Sequence, residues 1–439
     1  MMPLSFVGSL TVFFVTLAVG YLVIVAAASL AGALSRGGRR ERAVDAYEAL
    51  AVSRFTIPVS VIVPVGDGDH ASLSRSIQSL LDLNYPELEV VVVTERMPDA
   101  AVEALKSHWA LAPKELFYRR SLATAAVHRI FASERDARLV LVEKAPGGRA
   151  DALNCGVSFA RFRYIVSVSP RVVFDANALL RLMSPALRDP ATVLAVTSYV
   201  ERRREPRAAH AQENVEWTRA GDDYQRLASI RSWMASRLAW HQLRCGLPPR
   251  DGVSAFRRDA LLEIGGFSVD AADAELDLLI RLQTGPSSGR VVRTSEVFGH
   301  LDTLSVPQAA ATSGRRRRAL LQAFRTFATT YEGGPARVTM MAVLLVELIT
   351  PAAQVFVMGA IIAATSAGWV NWNAPFLVLL FLTFGYGLIS ACALLLRGGT
   401  PGAPGTADLR RLLMRAPLEF VVYRPVFVWA LLTRRPVLR

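Results

Sequence analysis

Acidic and basic side chains in this sequence gather at the ends of short apolar runs, where layered α/β proteins usually place their chemistry. Glu95 closely follows the apolar run 90–93. Arg149 and Asp151 stand in Gly148-Arg149-Ala150-Asp151, at the start of a helix predicted over 150–159. Outward-pointing backbone N–H groups at a helix start, joined by a guanidinium, suit a diphosphate. Arg171 lies in Ser169-Pro170-Arg171, directly after the apolar run 164–168. Asp273, Glu275 and Asp277 crowd the start of another predicted helix, 274–282. A carboxylate there is of the right type to take a proton from a hydroxyl, and the cluster reads equally well as a solvated helix surface. Arg315 to Arg318 are four consecutive arginines. They suit phosphate, or a membrane surface rich in anionic lipid.

The composition limits what these groups can serve. The chain has 439 residues, 52% of them hydrophobic, and a net charge of +13. Only three of its 50 basic residues are lysine, namely Lys106, Lys114 and Lys144. No nucleic-acid motif accompanies the charge, so nucleic acid is excluded as a partner. Cys155, Cys245 and Cys392 have neither a disulfide framework nor zinc spacing. Residues 3–34 form an uncharged apolar run, longer than the roughly 20 residues a bilayer requires. It lacks the basic start and cleavage site of a signal peptide. Arg36, Arg39, Arg40 and Arg42 follow it and place the next domain in the cytoplasm by the positive-inside rule.

The elements that must position these groups follow from periodicity. Runs 59–65, 90–93, 139–142 and 164–168 read as buried strands, and 71–83 and 150–159 as helices. The alternation predicts a mostly parallel sheet covered by helices, with ligands at the carboxyl ends of the strands. A long helical region follows near 214–243. Residues 256–267 read as a strand end, a helix and a Gly-Gly turn. The arginine run opens an amphipathic helix reaching about 330. Further membrane candidates lie at 338–364, which contains Glu347 and Pro351, and at 375–396. Residues 417–432 are apolar but short, suited to a tilted or interfacial helix.

Several segments in order carry a resemblance: IPVSVIVPV, SLLDLNYPELEVVVVT, GGRADALNCGV, FDANALLRL and SAFRRDALLEIGGF. Together they resemble membrane-bound glycosyltransferase family 2 proteins, relatives of cellulose, hyaluronan and poly-N-acetylglucosamine synthases. The resemblance runs from about Pro58 to the C-terminal helices. It implies a GT-A (Rossmann-like) α/β domain on the cytoplasmic face, flanked by N-terminal and C-terminal transmembrane helices. The implied organisation is a membrane helix at 1–36, a linker at 37–57 and the GT-A domain at 58–312. An interfacial helix at 313–336, two membrane helices within 337–397 and a loop with a short helix at 398–439 complete it. The implied place is the bacterial inner membrane, with a nucleotide-sugar and the lipid bilayer as partners.

The same resemblance assigns positions to the reacting groups, and this chain alters them. Val65, Asp67, Glu95 and Asp151 fall at nucleoside-binding positions, but Thr94-Glu95-Arg96-Met97 replaces the family's Asp-Asp-Gly-Ser. Ser169-Pro170-Arg171 stands where the metal-binding Asp-x-Asp belongs, and Asp175 lies a turn too far on. Glu275, preceded by Ala274, takes the place of the catalytic base. Arg317 survives from Gln-x-x-Arg-Trp without its Gln and Trp. Arg149 keeps the positive charge of the family's Gly-Lys-Ala-Asp. The implication is a catalytically degenerate relative in envelope or extracellular polysaccharide synthesis. It would need no metal cofactor, Mg or Mn included, and would assist an active synthase or a polysaccharide-export protein. The alternative is an active, metal-independent transferase in which Arg149, Arg171 and Arg317 hold the diphosphate and Glu275 is the base.

Overall fold

A computed structural model describes residues 56–66, 70–115, 118–202, 215–234, 252–284, 289–301, 303–330, 373–398, 405–423 and 425–427, with isolated positions between 359 and 368. The chain divides into two compact units. One comprises 1–36, 204–245 and 303–439; the other comprises 37–203 and 246–302. The runs 3–34 and 338–364, with Glu347, and the position of Asp67 lie outside the described residues, apart from isolated positions in 338–364.

The second unit is built on a ten-stranded sheet of order β3-β4-β5-β2-β1-β6-β9-β8-β10-β7. Its centre is β1 (Val59–Val65), β2 (Leu88–Thr94), β5 (Leu139–Lys144) and β6 (Tyr164–Ser167). These four pair in parallel, β5 with β2, β2 with β1 and β1 with β6. Every residue of β1 and β2 is buried. That burial explains their near-continuous Val/Ile sequence, since a parallel strand covered on both faces has no polar side. The one acidic residue in β2, Glu89, is satisfied inside. Ser60 Oγ donates to its Oε1 at 2.6 Å, and Arg161 donates through its backbone N (2.7 Å) and Nε (2.6 Å).

The rest of the sheet is mixed, which corrects the expectation of a mostly parallel one. Antiparallel pairing joins β3 (Leu111–Pro113) to β4 (Val127–Ser133) and β4 to β5. It also joins β6 to β9 (Ser254–Arg257), β9 to β8 (Val193–Arg202), and β7 (Val172–Phe174) to β10 (Arg290–Leu301). Strand β10 runs parallel to β8.

Side chains alternate across the sheet, as a period of two requires. Val59, Val61, Val63 and Val65 pack with α1 (His70–Leu81), α2 (Asp99–Trp109) and α4 (Ala178–Arg188). Ile62, Val91, Val93 and Val142 pack on the opposite face with α3 (Arg149–Phe159), α6 (Arg258–Glu263) and α7 (Ala274–Thr284). Helix α3 is buried from Ala150 through Ser158. It approaches β1 so closely that a Cβ on Gly156 would lie 2.4 Å from Ile62 Cγ2. Asn154 ties it to the segment after α6, donating to Phe267 O and accepting from Phe267 N, each at 2.8 Å.

The first unit is helical: α5 (Val215–Met234), α8 (Val306–Thr330), α9 (Asn373–Gly398), α10 (Thr406–Arg415) and a π-helical turn, Glu419–Tyr423. Ion pairs to buried carboxylates link these helices. Asp223 accepts from Arg415 at 2.6 Å and Arg411 at 3.1 Å, and Arg231 pairs with Glu419. Helix α8 starts at Val306, so the arginine run lies inside a helix and does not open one. The expected crossing at 375–396 falls in α9. No helix among the described residues is long and apolar enough to cross a membrane, so that expectation is not supported.

Candidate functional site

The four central parallel strands end on one edge, at Val65, Thr94, Lys144 and Ser167. Two clusters of charged side chains form there. The first surrounds Lys144, whose side chain is fully buried. Its Nζ lies 2.5 Å from Glu95 Oε1 and 2.5 Å from Asp151 Oδ2, and donates to Ala145 O at 2.7 Å. The carboxylates have further donors: Gly148 N to Glu95 Oε2 at 2.9 Å, and Ala125 N to Asp151 Oδ1 at 3.1 Å. Glu95 is held in place by its own N–H, which bonds Val65 O at 3.2 Å. Burial alone would lower the Lys144 pKa. The hydrogen bonds to Asp151 and Glu95, and their charges, outweigh it and raise the pKa above the ordinary lysine value.

Two glycines make this cluster possible. Gly148 has φ +87°, a left-handed conformation that costs glycine little. A Cβ on Gly147 would lie 2.4 Å from Asp151 Oδ2. The turn therefore packs its backbone against the carboxylate and aims one N–H at Glu95. The start of α3 thus already binds an internal carboxylate, where a diphosphate was expected.

The second cluster lies around Glu275, in the first turn of α7. Arg149 Nη2 donates to Glu275 Oε1 at 2.7 Å, and Ser167 Oγ donates to the same oxygen at 2.8 Å. Ser167 is buried at the end of β6, Glu275 is mostly covered, and Arg149 is 46% exposed. The pair thus opens to solvent mainly on the arginine side.

The expected residues divide accordingly. Val65, Glu95 and Asp151 meet in or beside the Lys144 cluster, and Arg149 and Glu275 meet each other. Arg171 sits half-buried in the turn between β6 and β7 and is engaged by other groups. Arg317 is on α8 in the other unit and is likewise engaged. The sequence reading missed Lys144 and Ser167. Lys144 had a signal: a lysine ends an apolar strand in a chain that otherwise uses arginine. A compact ammonium with three rotatable donors can serve two carboxylates and a carbonyl at once. Ser167 had no signal, because a strand serine also reads as packing.

A divalent cation needs several oxygen ligands converging on one point. The turn after β6 offers Ser169, Pro170 and Arg171, with no carboxylate. Asp175 is paired with Arg181 at 3.1 Å. Among the described residues no three His, Cys, Asp or Glu side chains are grouped to hold a metal. The described residues at this edge therefore do not fit a resident metal ion.

Carboxyl ends of parallel strands, a glycine turn into a buried helix and an acid–base pair at α7 thus lie together at one edge of the sheet. Residues 60–265 match the model of Glycosyl transferase family 2. The match covers a little under half of the chain and runs from within β1 to Gly265. No curated protein gives a significant match. Among solved structures, the chain is similar to the mannosyltransferase PcManGT of Pyrobaculum calidifontis in complex with GDP-Man and Mn2+. That similarity has 18% identity and a TM-score of 0.48, covering 91% of this chain and 99% of the other. It is also similar to S. aureus TarS 1–349 in complex with UDP-GlcNAc, with 12% identity and a TM-score of 0.40, covering 85% and 91%.

Proposed function

We propose that the second unit is a glycosyltransferase family 2 domain whose donor site has lost metal-dependent sugar transfer. The observation that carries this reading is that the chemical groups at the strand ends are satisfied by one another. Glu95 and Asp151 share the ammonium of Lys144, and Glu275 is held by Arg149 and Ser167. The carboxylates that would bring a cation to the diphosphate are replaced by Ser169-Pro170-Arg171. Such a domain keeps a nucleotide-sugar-shaped scaffold and acts as a non-catalytic component of envelope or extracellular polysaccharide synthesis, beside an active synthase or export protein. Membrane association at the bacterial inner membrane fits the apolar run 3–34. It also fits the exposed Leu380, Phe384, Leu388 and Leu395 of α9, whose first three recur at the helical spacing of four.

The test is a transfer assay on the detergent-purified full chain, with labelled UDP- and GDP-sugars, in the presence and absence of magnesium or manganese. Absence of turnover under all conditions is expected. Metal-dependent transfer contradicts the reading.

A second reading is favoured by one specific observation, the direct contact between Arg149 and Glu275. A phosphate-binding cation and a proton acceptor stand together, as a metal-independent transferase would need. It requires turnover without metal that Glu275→Gln abolishes. Unchanged turnover in that variant removes it.

A further inference from the structure

The Arg149–Glu275 pair has a property that neither cluster explains by itself. Its acidic half is mostly covered, 18% exposed, against a fixed donor, Ser167, while its basic half is 46% exposed. Breaking the pair therefore need not strand Glu275, which retains the Ser167 hydroxyl at 2.8 Å. Arg149 has a long side chain that is 46% exposed, and its hydrogen bond to Glu275 is the one that must break. Its guanidinium can turn outward to a better anion. Glu275 offers it one contact through one oxygen, whereas a diphosphate offers several oxygens and about two charges, matched to a forked donor. Nearby, Lys144 is fully buried between two carboxylates and is not available to such an anion. Of the two cations in these clusters, Arg149 is thus the one open to solvent and placed to respond.

We propose that Arg149, Glu275 and Ser167 form a ligand-responsive latch. In the resting site Arg149 is held by Glu275. A diphosphate-bearing ligand takes Arg149 away, and Ser167 keeps Glu275 oriented after the exchange. The exchange is one of hydrogen bonds and ion pairs, with no covalent step. It rests on the reading of the second unit as a nucleotide-sugar domain, and it adds the regulation of that site. Glu275 acts as an internal competitor of the diphosphate, so removing its charge strengthens binding.

The probes are inorganic pyrophosphate and UDP, titrated by calorimetry without metal into the full chain in detergent. A partly exposed ion pair is worth up to roughly 1 kcal/mol, which corresponds to about five-fold in affinity. Glu275→Gln is expected to bind both probes up to about five-fold tighter than the natural chain. Glu275→Asp, one carbon shorter, is expected to fall between them. Arg149→Ala is expected to weaken both at least ten-fold. The decisive arm is the double variant Arg149→Ala/Glu275→Gln, compared with Arg149→Ala. A latch predicts no further change there, because the competitor has nothing left to hold. Simple repulsion between Glu275 and the anion predicts tightening in both backgrounds, and that result overturns the proposal. Equal affinities of the natural chain and Glu275→Gln, or no binding by any variant, also overturn it. These outcomes are separate from the transfer assay. Metal-dependent turnover contradicts the proposed function whatever the affinity ratios, and a failed latch leaves an inactive domain standing.

Discussion

Replacing Lys144 by methionine removes a charge from the most enclosed ionic cluster at the strand ends. Methionine preserves the length and apolar stem of the side chain, so packing is little disturbed and the charge is the main variable. Two carboxylates, with side chains only 11% and 9% exposed, lose a donor at 2.5 Å each. Removing one partner of a buried pair costs about 3–5 kcal/mol, because the other charge is left uncompensated. Here Glu95 keeps Gly148 N and Asp151 keeps Ala125 N, which places the cost near the lower end, about 3 kcal/mol. The assay is hydrogen exchange of the full chain, read on peptides from β2, β5 and α3, because a two-unit chain has no single unfolding free energy. A loss of about 3 kcal/mol appears as exchange accelerated by roughly a hundred-fold. The double variant Lys144→Met/Glu95→Gln is expected to recover part of the loss, since one stranded charge is gone. A change below about 1 kcal/mol in Lys144→Met, or no recovery in the double variant, refutes the account of the cluster. The pH dependence has a defined sign. The folded Lys144 pKa is raised above the unfolded value. Its contribution is therefore complete below the ordinary lysine pKa and is lost as pH rises through the raised folded value.

Three other predictions concern the same edge. Arg96 has φ +52° directly after Glu95, a left-handed conformation costing a side-chain-bearing residue about 1 kcal/mol. Arg96→Gly is expected to stabilise β2 by up to that amount, measured by the same exchange experiment, and a destabilisation would contradict it. Gly147→Ala places a methyl 2.4 Å from Asp151 Oδ2. It should cost about 1–3 kcal/mol, whereas a neutral effect would show that the turn shifts freely. Burial pushes the Cys155 thiol up to about 12, so it should resist alkylation at pH 8 in the native chain and react once unfolded. Rapid native labelling confined to Cys155 would show that α3 is less firmly packed than described.

The parallel centre was legible in the sequence because strands buried on both faces must be apolar throughout, as β1 and β2 are. The missed strands conceal that signal. In β4 only Phe131 and Ser133 are buried, and His128 and Arg129 are exposed. In β8 the apolar run passes into Thr197 and Ser198 and ends on buried Glu201 and Arg202. Pairing direction was not legible, because nothing local in Ser254–Arg257 distinguishes an antiparallel β9 from another parallel strand. The early start of α8 was hidden in Val306-Pro307-Gln308-Ala309, whose small and polar residues carry no helical stripe. At the site, the positions of Glu95, Arg149, Asp151 and Glu275 were readable from strand ends and helix starts. Their partners were not, because an ion pair across 126 positions, such as Arg149 with Glu275, is fixed by topology.

The most direct test of the central claim is calorimetric titration of the full chain with UDP and GDP, with and without millimolar manganese or magnesium. The account predicts affinities that the metal leaves unchanged within about two-fold, since among the described residues no carboxylates converge to hold a metal. Binding that tightens ten-fold or more with either metal would contradict it and return the domain to the metal-dependent transferases.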